Sequence, residues 1–304
     1  MALARSEDTA DEIIVVDGPP HLSASAARNT GARQASGSVL VFVDADVEVH
    51  PDAIGRIRAA FDGDPGLTAV HGSYDDMPDV RTPVSAFRNL LHHHVHHTNA
   101  GTADTFWSGL GAIRRDAFLA SGGFDEQRYP HPSVEDIELG HRLRRAGARL
   151  VLDPAIQGTH LKRWTLRSMV WTDFARRGVP WIAMHLRERS LSRSLNLGWR
   201  HRATALALVA SALAALTGHV LVALPLLLSV LVLNHDLYRL LLRRQGAVAG
   251  TLGVLLHLVH HVVALLAACV AVAIWTASGF ERIPATATPA PLDGDIDREG
   301  LLRR

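Results

Sequence analysis

Residues 40 to 46 read Leu-Val-Phe-Val-Asp-Ala-Asp, an apolar run that stops at two acids, Asp44 and Asp46. A continuous β-branched and aromatic run of this kind predicts a buried strand of a parallel sheet. Ligands of open α/β sheets bind just beyond the carboxyl ends of such strands. Two carboxylates at that edge can hold a divalent cation, and the cation can hold a diphosphate. The alternative is that both acids only open a turn before His50 and Pro51.

The composition limits the class of protein. The chain has 304 residues, a formal net charge of +1 and 48% hydrophobic residues, which allows one sizeable domain plus an apolar appendage. Its single cysteine, Cys269, cannot form an intrachain disulfide, so a disulfide-stapled secreted domain is excluded. Residues 1–11 are polar and acidic, and we expect no signal peptide there.

Residues 11–160 alternate short apolar runs with helical patterns, which predicts βαβ units and an α/β fold. Glycines mark several boundaries, and Gly147 is expected to end a helix. The predicted elements are a strand at 13–16, a helix within 23–36, a strand at 39–43, a helix at 134–146 and a strand at 150–152.

The next stretch, residues 161–202, is basic and rich in tryptophan. From Lys162 to Arg202 the chain has ten Lys or Arg, two acids and four of its six tryptophans. Tryptophan prefers the headgroup level of a membrane and arginine reaches lipid phosphate, so the stretch predicts interfacial helices. The alternative is ordinary packing of the tryptophans under the preceding domain. A basic stretch directly before an apolar one indicates an anionic membrane surface more than nucleic acid.

Residues 203–277 predict a transmembrane region. The stretch 203–233 would make one helix of about 46 Å, too long for a hydrocarbon core of about 30 Å. Basic residues precede residue 203, and Arg239, Arg243 and Arg244 follow the stretch, so both flanks should be cytoplasmic. This favours a hairpin with its turn at 217–219. We therefore expect spans at 203–217, 219–234 and 248–277, followed by a disordered tail at 278–304.

A second acidic motif, Glu135-Asp136-Ile137-Glu138, begins the helix predicted at 134–146. The helix macrodipole explains part of this pattern, because it favours negative charge at a helix start. The functional alternative is that Asp136 is a general base that deprotonates an acceptor hydroxyl. The glycine-rich stretches 107–112 and 122–125 would let backbone approach a ligand closely.

Histidines form two groups, one at positions 92–97 and one at His257, His260 and His261. The i, i+4 pairs of the first group suit a zinc site on a helix, although no third ligand is evident. The second group lies within the last predicted span, where facing another helix is the alternative. A histidine-based metal transporter or sensor is therefore one functional hypothesis.

The motifs together resemble a known family. Their order is similar to that of family-two glycosyltransferases with the GT-A fold, over roughly residues 11–185. The element His160-x-x-Arg163-Trp164 is similar to the Gln-x-x-Arg-Trp element of membrane-bound processive members, with His in place of Gln. The remaining motifs that carry the resemblance are Asp17 after the run 13–16, Arg28-Asn29-x-Gly31, Asp44-Ala-Asp46, Gly123-Phe124-Asp125 and Glu135-Asp136-x-Glu138.

The resemblance implies an inverting transfer of a sugar from a nucleotide-diphosphate donor. The interfacial tryptophans and arginines indicate a lipid-linked or membrane-proximal glycan as the acceptor, with membrane lipids and no nucleic acid as further partners. The resemblance also implies an integral inner-membrane (plasma-membrane) protein of the cell envelope, with its catalytic domain in the cytoplasm. Asp136 would be the base, and Asp46 would bind Mg²⁺ or Mn²⁺. The other implied site residues are Asp17, Arg28, Asn29 and Asp44 for the nucleotide sugar, and Glu135, His160, Arg163 and Trp164 for the acceptor or diphosphate.

The amino-terminal part departs from the family pattern. Family members begin with a further strand, whereas only residues 1–11 precede the run 13–16, and the interval from Asp17 to Arg28 is short. We therefore expect an amino-terminally truncated nucleotide-binding half with exposed apolar surface. A catalytically inactive, membrane-bound homologue is accordingly the alternative function.

Overall fold

The computed structural model describes residues 9–19, 22–189, 195 and 198–278. The strands are β1 Val39–Val43, β2 Val47–Val49, β3 Ala69–Tyr74, β4 Gly101–Thr102, β5 Leu110–Arg114 and β6 Leu150–His160. The helices are α1 Ala24–Gln34, α2 Ala53–Gly63, α3 Pro83–Thr98, α4 Arg115–Ala120, α5 Glu135–Arg145, α6 Leu166–Trp171, α7 Val179–Glu188, α8 Trp199–Leu216, α9 Val220–Leu233 and α10 His235–Ala277, with a π-helical segment Thr172–Gly178 between α6 and α7.

The strands form one mixed sheet in the order β1-β5-β3-β6-β2, and β4 pairs with β6. Strands β3 and β6 are parallel, and the other pairs are antiparallel. Helices α1, α2 and α5 alternate with these strands along the chain. The predicted α/β fold is confirmed.

The prediction that the run before Asp44 is a parallel strand is wrong. Strand β1 pairs antiparallel with β5, with Val43 opposite Leu110. The run is apolar because both of its faces are covered. Leu40 and Phe42 belong to one core cluster, while Val41 and its neighbours pack against another. Apolar residues on both faces show that a strand is covered, but they do not show its direction.

The prediction of a strand at 13–16 is also wrong, because this segment lies outside the sheet. Ile14 and Val16 lie against Gly31 of α1, whereas Ile13 and Val15 are 52% and 78% exposed. The alternation is that of an extended chain with one covered face. The segment is not a strand because no described neighbour pairs with it. The exposed apolar surface expected in this part of the chain is present at Ile13 and Val15.

The predicted helices within 23–36 and at 134–146 are confirmed as α1 and α5. The side chain of Ser23 accepts a hydrogen bond from the Ala26 N–H at 3.1 Å and so begins α1. Gly147 has φ +86°, the left-handed conformation that suits a glycine after a helix. The strand predicted at 150–152 continues to His160, because β6 pairs with β3 on both sides of an irregularity and then with β2 up to His160.

Helix α10 is two antiparallel helices, 235–245 and 247–277, that reverse at Gly246 (φ 76°, ψ 177°). Gly250 lies against the backbone of Leu242, and the Tyr238 hydroxyl is 3.1 Å from His257 Nδ1. By length and composition, α10 is the one helix among the described residues able to cross a membrane, and α9 is a shorter apolar helix. The tail predicted at 278–304 lies outside the described residues from position 279 onward.

Helix α10 also packs against the sheet domain. Leu237 and Leu241 of its first part share a core cluster with Phe87 and Leu90 of α3. Arg244 Nε donates to Asp76 Oδ2 at 2.8 Å, which ties the end of the first part to the loop after β3. The carboxyl-terminal helices therefore form part of the surroundings of the sheet edge at which β6 ends.

Candidate active site

A cavity of about 340 Å³ opens where β1 and β6 end and α5 begins. Its lining includes Asp44 and Asp46 after β1, His160 at the end of β6, and Asp136 in the first turn of α5. The sheet edge thus brings together four of the residues predicted for the site, which lie far apart in the sequence.

Arg28 connects the two acidic motifs. Its Nη2 donates to Asp44 Oδ1 at 2.6 Å, and its Nη1 donates to Glu135 Oε1 at 3.2 Å. Burial lowers the pKa of Arg28, but Asp44 and then Glu135 outweigh burial and raise it above its ordinary value. Glu135 is buried, and its other carboxylate oxygen accepts from the Ser133 N–H at 2.7 Å. Glu135 therefore holds Arg28 in place. It also lines the cavity, and its contact with acceptor or diphosphate stays a prediction.

Asp46 and His160 are placed to share a cation. Asp46 Oδ2 is 3.7 Å from His160 Nε2 and 3.7 Å from Lys162 Nζ. His160, followed by Lys162, lowers the pKa of Asp46 despite its partial burial. An oxygen and a nitrogen that bind one cation at about 2.1 Å each lie at most about 4.2 Å apart. Asp46 and His160 are therefore close enough to reach one divalent cation, with the Lys162 ammonium beside them. The described residues contain no cluster of three or more metal-binding side chains, so phosphate and water would complete the coordination.

Asp136 has the environment of a general base. Its Oδ1 accepts from the Ile137 N–H at 2.8 Å, and its Oδ2 accepts from the N–H and hydroxyl of Ser108 at 3.3 and 3.4 Å. The side chain is partly buried in the cavity lining. Burial, and then the neighbouring Glu135 carboxylate, raise its pKa to about 6. Asp136 is therefore ionised at neutral pH and still basic enough to accept a proton.

Part of the cavity lining is aromatic and cationic. We call this part the helical side, and it consists of Arg88, Trp164, Arg176, Arg177 and Trp181. Trp164 is buried there, and its indole Nε1 has no hydrogen-bond partner among the described residues. The composition of 161–202 predicts interfacial helices, with packing of the tryptophans under the preceding domain as the alternative, and Trp164 and Trp181 line the cavity. No sequence signal indicates Tyr74, which stacks on His160 at 4.3 Å, or Arg88. The cavity-lining residues that were not predicted for the site include Tyr74, Arg88, His92, Trp107, Lys162, Arg176, Arg177 and Trp181.

Three predicted site residues do not line the cavity. Asp17 and Arg163 are exposed and lie outside its lining. Asn29 is buried and holds the glycine-rich turn 122–124. Its Nδ2 donates to the Phe124 carbonyl at 2.9 Å, and its Oδ1 accepts from the Phe124 N–H at 2.9 Å. A Cβ atom at Gly123 would lie 2.5 Å from Asn29 Oδ1, so the turn serves this structural contact.

Several histidines of the two groups are held by contacts within the protein, whereas His92 and His261 are buried with no hydrogen-bond partner among the described residues. His93 and His96 place their Nδ1 atoms 2.9 and 2.8 Å from the carbonyls of Tyr74 and Gly72. Burial lowers the pKa of His96 to about 3, so it is neutral. In the second group, His257 pairs with a tyrosine hydroxyl and His260 with an aspartate. These contacts do not support the metal-sensor hypothesis.

The family assignment follows from a sequence comparison. Residues 2–120 match the sequence model of the family described as Glycosyl transferase family 2. Residues 2–120 therefore resemble a family 2 glycosyltransferase domain. The matched part includes Arg28, Asp44 and Asp46 and ends before Asp136 and His160. The predicted family is thereby confirmed. A search among curated proteins found no match.

Solved structures similar to this glycosyltransferase include two metal complexes. One is the mannosyltransferase PcManGT from Pyrobaculum calidifontis in complex with GDP-Man and Mn²⁺. It is 17% identical, and the match covers 85% of this chain and 68% of that chain with a TM-score of 0.41. The other is GalNAc-T7 with UDP, GalNAc and Mn²⁺. It is also 17% identical, and the match covers 61% of this chain and 37% of that chain with a TM-score of 0.37.

Proposed function

We propose that the chain is an inverting glycosyltransferase that moves a sugar from a nucleotide-diphosphate donor to a lipid-linked or membrane-proximal acceptor. The observation that carries the proposal is the single cavity that joins Asp46 and His160 with the carboxylate of Asp136. One end of this cavity suits a cation and a diphosphate, and the other suits a base beside an acceptor hydroxyl. The family match supports the same reaction class.

Each residue has a role in this reaction. Asp46 and His160 would hold Mg²⁺ or Mn²⁺, which supplies positive charge to the leaving diphosphate when bound. Arg28 keeps Asp44 in place toward the ribose and sugar. Asp136, oriented by Ser108, accepts the proton of the acceptor hydroxyl while that oxygen bonds to the anomeric carbon of the sugar. The bond from this carbon to the diphosphate breaks in the same displacement, which inverts the anomeric configuration.

The proposed acceptor lies at a membrane because of the carboxyl-terminal helices. Helices α8 and α9 form a hairpin whose surface is largely exposed and apolar, as at Leu206 and Leu221. Trp171 and Trp199 are 59% and 66% exposed, whereas Trp164 and Trp181 line the cavity. Exposed tryptophans beside arginines are typical of the headgroup level. We propose that residues 199–277 associate with the bilayer and that the basic flanks keep the cavity on the cytoplasmic side.

An inactive homologue is the second candidate function. The observation that favours it is the position of Asp17, which is exposed and outside the cavity although the family resemblance implies a contact with the nucleotide. Such a protein would bind a nucleoside diphosphate weakly and transfer no sugar.

The test is transfer of labelled sugar by membranes that contain the full chain. A panel of labelled nucleotide sugars is supplied with MnCl₂, and incorporation into the lipid extract is counted. Asp136→Asn is expected to reduce incorporation by about 10²- to 10⁴-fold, the usual contribution of a general base. Asp116→Asn is the matched control, because Asp116 is an exposed aspartate in the first turn of α4.

The outcomes separate the two candidates. Equal incorporation by wild type and Asp136→Asn would remove Asp136 as the base. Saturable binding of UDP or GDP with Mn²⁺ in calorimetry, without transfer from any donor, would support the inactive homologue. Absence of both binding and transfer would contradict both functions.

A further inference from the structure

Arg88 is a cation of the helical side, and its position in the cavity suggests that it binds a ligand. It lies in α3, is 8% exposed and lines the same cavity as Asp46 and His160. Its guanidinium carbon lies 5.1 Å from the centroid of the Trp164 ring. Its Nε is buried and has no hydrogen-bond partner among the described residues. The guanidinium is thus held against one aromatic face and keeps unused hydrogen-bonding capacity.

Asp173 holds this guanidinium in place. It lies in the π-helical segment Thr172–Gly178 and is buried, and its Oδ1 accepts from Arg88 Nη1 at 2.8 Å. Its Oδ2 is 2.8 Å from Nδ1 of His260, in the second part of α10. Burial raises the pKa of Asp173, but Arg88 and then His260 lower it well below its ordinary value. Asp173 is therefore an anion shared between a cavity residue and the last helix.

The charge around Arg88 differs from that around Arg28 and Lys162, two other cations of a cavity that Arg176 and Arg177 also line. Arg28 is neutralised by two carboxylates, Asp44 and Glu135, and Lys162 lies beside Asp46. Arg88 shares its one carboxylate with His260. A buried ion pair gains little stability over well-packed apolar residues, so packing alone gives little reason for this arrangement. A planar guanidinium on an aromatic face suits a phosphate group, which it binds with two parallel hydrogen bonds.

We propose that Arg88 binds the diphosphate of the donor and that Asp173 and His260 are positioning residues that fix its guanidinium. The inference rests on the proposed function and extends it. The last helix is then part of the donor site, because His260 lies in the part of α10 after Gly246. Arg88 adds a second phosphate-binding group to the cavity that Asp46 lines.

The test compares diphosphate with monophosphate binding on the full chain in detergent. Calorimetry in the presence of MnCl₂ compares the affinity for UDP with that for UMP, and the affinity for GDP with that for GMP. The variants are then measured with the pair that the wild type binds. Arg88→Gln is expected to weaken the diphosphate about 10- to 100-fold, the cost of one or two charge-assisted hydrogen bonds. The monophosphate should change by less than about threefold, because it lacks the second phosphate.

Two further variants test positioning. Asp173→Asn keeps the shape of the side chain and is expected to lower the diphosphate-to-monophosphate preference in the same direction by a smaller factor. Arg88→Lys keeps the charge but not the planar fork, and it should recover part of the preference lost in Arg88→Gln. The matched control is Arg142→Gln, because Arg142 is largely buried in an ion pair with Glu138 and lies outside the cavity. It should lower thermal stability and leave the preference unchanged.

The outcomes are distinct. A wild-type preference that stays unchanged in Arg88→Gln, or a loss that falls equally on diphosphate and monophosphate, overturns the inference alone. If the wild type binds neither UDP nor GDP, the proposed function fails and the inference fails with it. If Arg88→Gln does not fold, Arg88→Lys and Asp173→Asn are measured instead, and an unchanged preference in both overturns the inference.

Discussion

The turn after β1 and the segment 13–17 present the same local sequence, an apolar run followed by an aspartate, in two different environments. The first run is paired with β5, covered on both faces, and delivers Asp44 to Arg28. The second leans on α1 with one face, and its Asp17 is exposed. The difference shows that an acid after an apolar run reaches a site only when sheet pairing fixes the end of the run. Four predictions test this difference.

The largest effect is expected at Asp46, just after the paired run. Asp46→Asn removes the charged ligand beside His160, and electrostatic stabilisation by a held cation is worth several kcal/mol. The transfer rate at saturating donor should fall by about 100-fold or more. Initial rates measured against MnCl₂ concentration check this. A variant that keeps more than about a third of the wild-type rate would contradict the assignment.

The next effect concerns the pH dependence of the rate, because burial in the cavity shifts the pKa of a carboxylate. Burial and Glu135 raise the pKa of Asp136 to about 6. A base must be deprotonated to act, so the rate should fall about tenfold per pH unit well below 6 and level off above it. Glu135→Gln removes the like charge and should move this fall to lower pH. Rate profiles between pH 4.5 and 8 show whether it moves, and an unmoved profile would remove Asp136 as the titrating group.

The third prediction asks whether Asn29, in the helix that the segment 13–17 contacts, stabilises the fold. Its amide makes two hydrogen bonds to the backbone of Phe124, so Asn29→Ala leaves buried polar groups without partners. The free energy of unfolding should fall by about 1–3 kcal/mol. Denaturant unfolding measures the loss, with Gln34→Ala on the exposed face of α1 as the control. A loss of nucleotide affinity without loss of stability would instead support the prediction that Asn29 binds the nucleotide sugar.

The smallest effect is expected at Asp17. Since its side chain is exposed and lies outside the cavity, Asp17→Asn should change the donor KM by less than about twofold. The measurement is a donor titration beside Asp46→Asn under the same conditions. A tenfold rise in KM would show that the segment 13–17 reaches the donor and would abolish the contrast between the two runs.

Much of the acidic half of the site could be predicted from the sequence because its signals are local. Asp44 and Asp46 follow a strand, and Asp136 lies in the first turn of a helix that begins and ends near the predicted positions. The direction of β1 could not be predicted, because an apolar run indicates only that both faces of the strand are covered. The sequence also could not show that the run 13–16 stays outside the sheet, because strand formation depends on a partner strand that is far away in the sequence.

The helical side could not be predicted for a related reason. Arg88 and Trp181 reach the cavity through the packing of α3, the π-helical segment and α10, which are separated by long stretches of chain. Arg176 and Arg177 belong to a basic stretch that the sequence did reveal, but composition alone does not distinguish a membrane surface from an anionic substrate. Tertiary contacts decide between these two assignments.

The reversal in α10 depends on a single residue. At Gly246 φ is 76° and ψ is 177°, a backbone conformation that is essentially restricted to glycine. Nothing lies within 4 Å of a Cβ atom built there, so the restriction comes from the backbone and not from crowding. A continuous helix of the same 43 residues would be about 65 Å long, roughly twice the hydrocarbon core of a bilayer. Gly246→Ala would therefore strain the reversal that lets the second part of α10 pack back along the first.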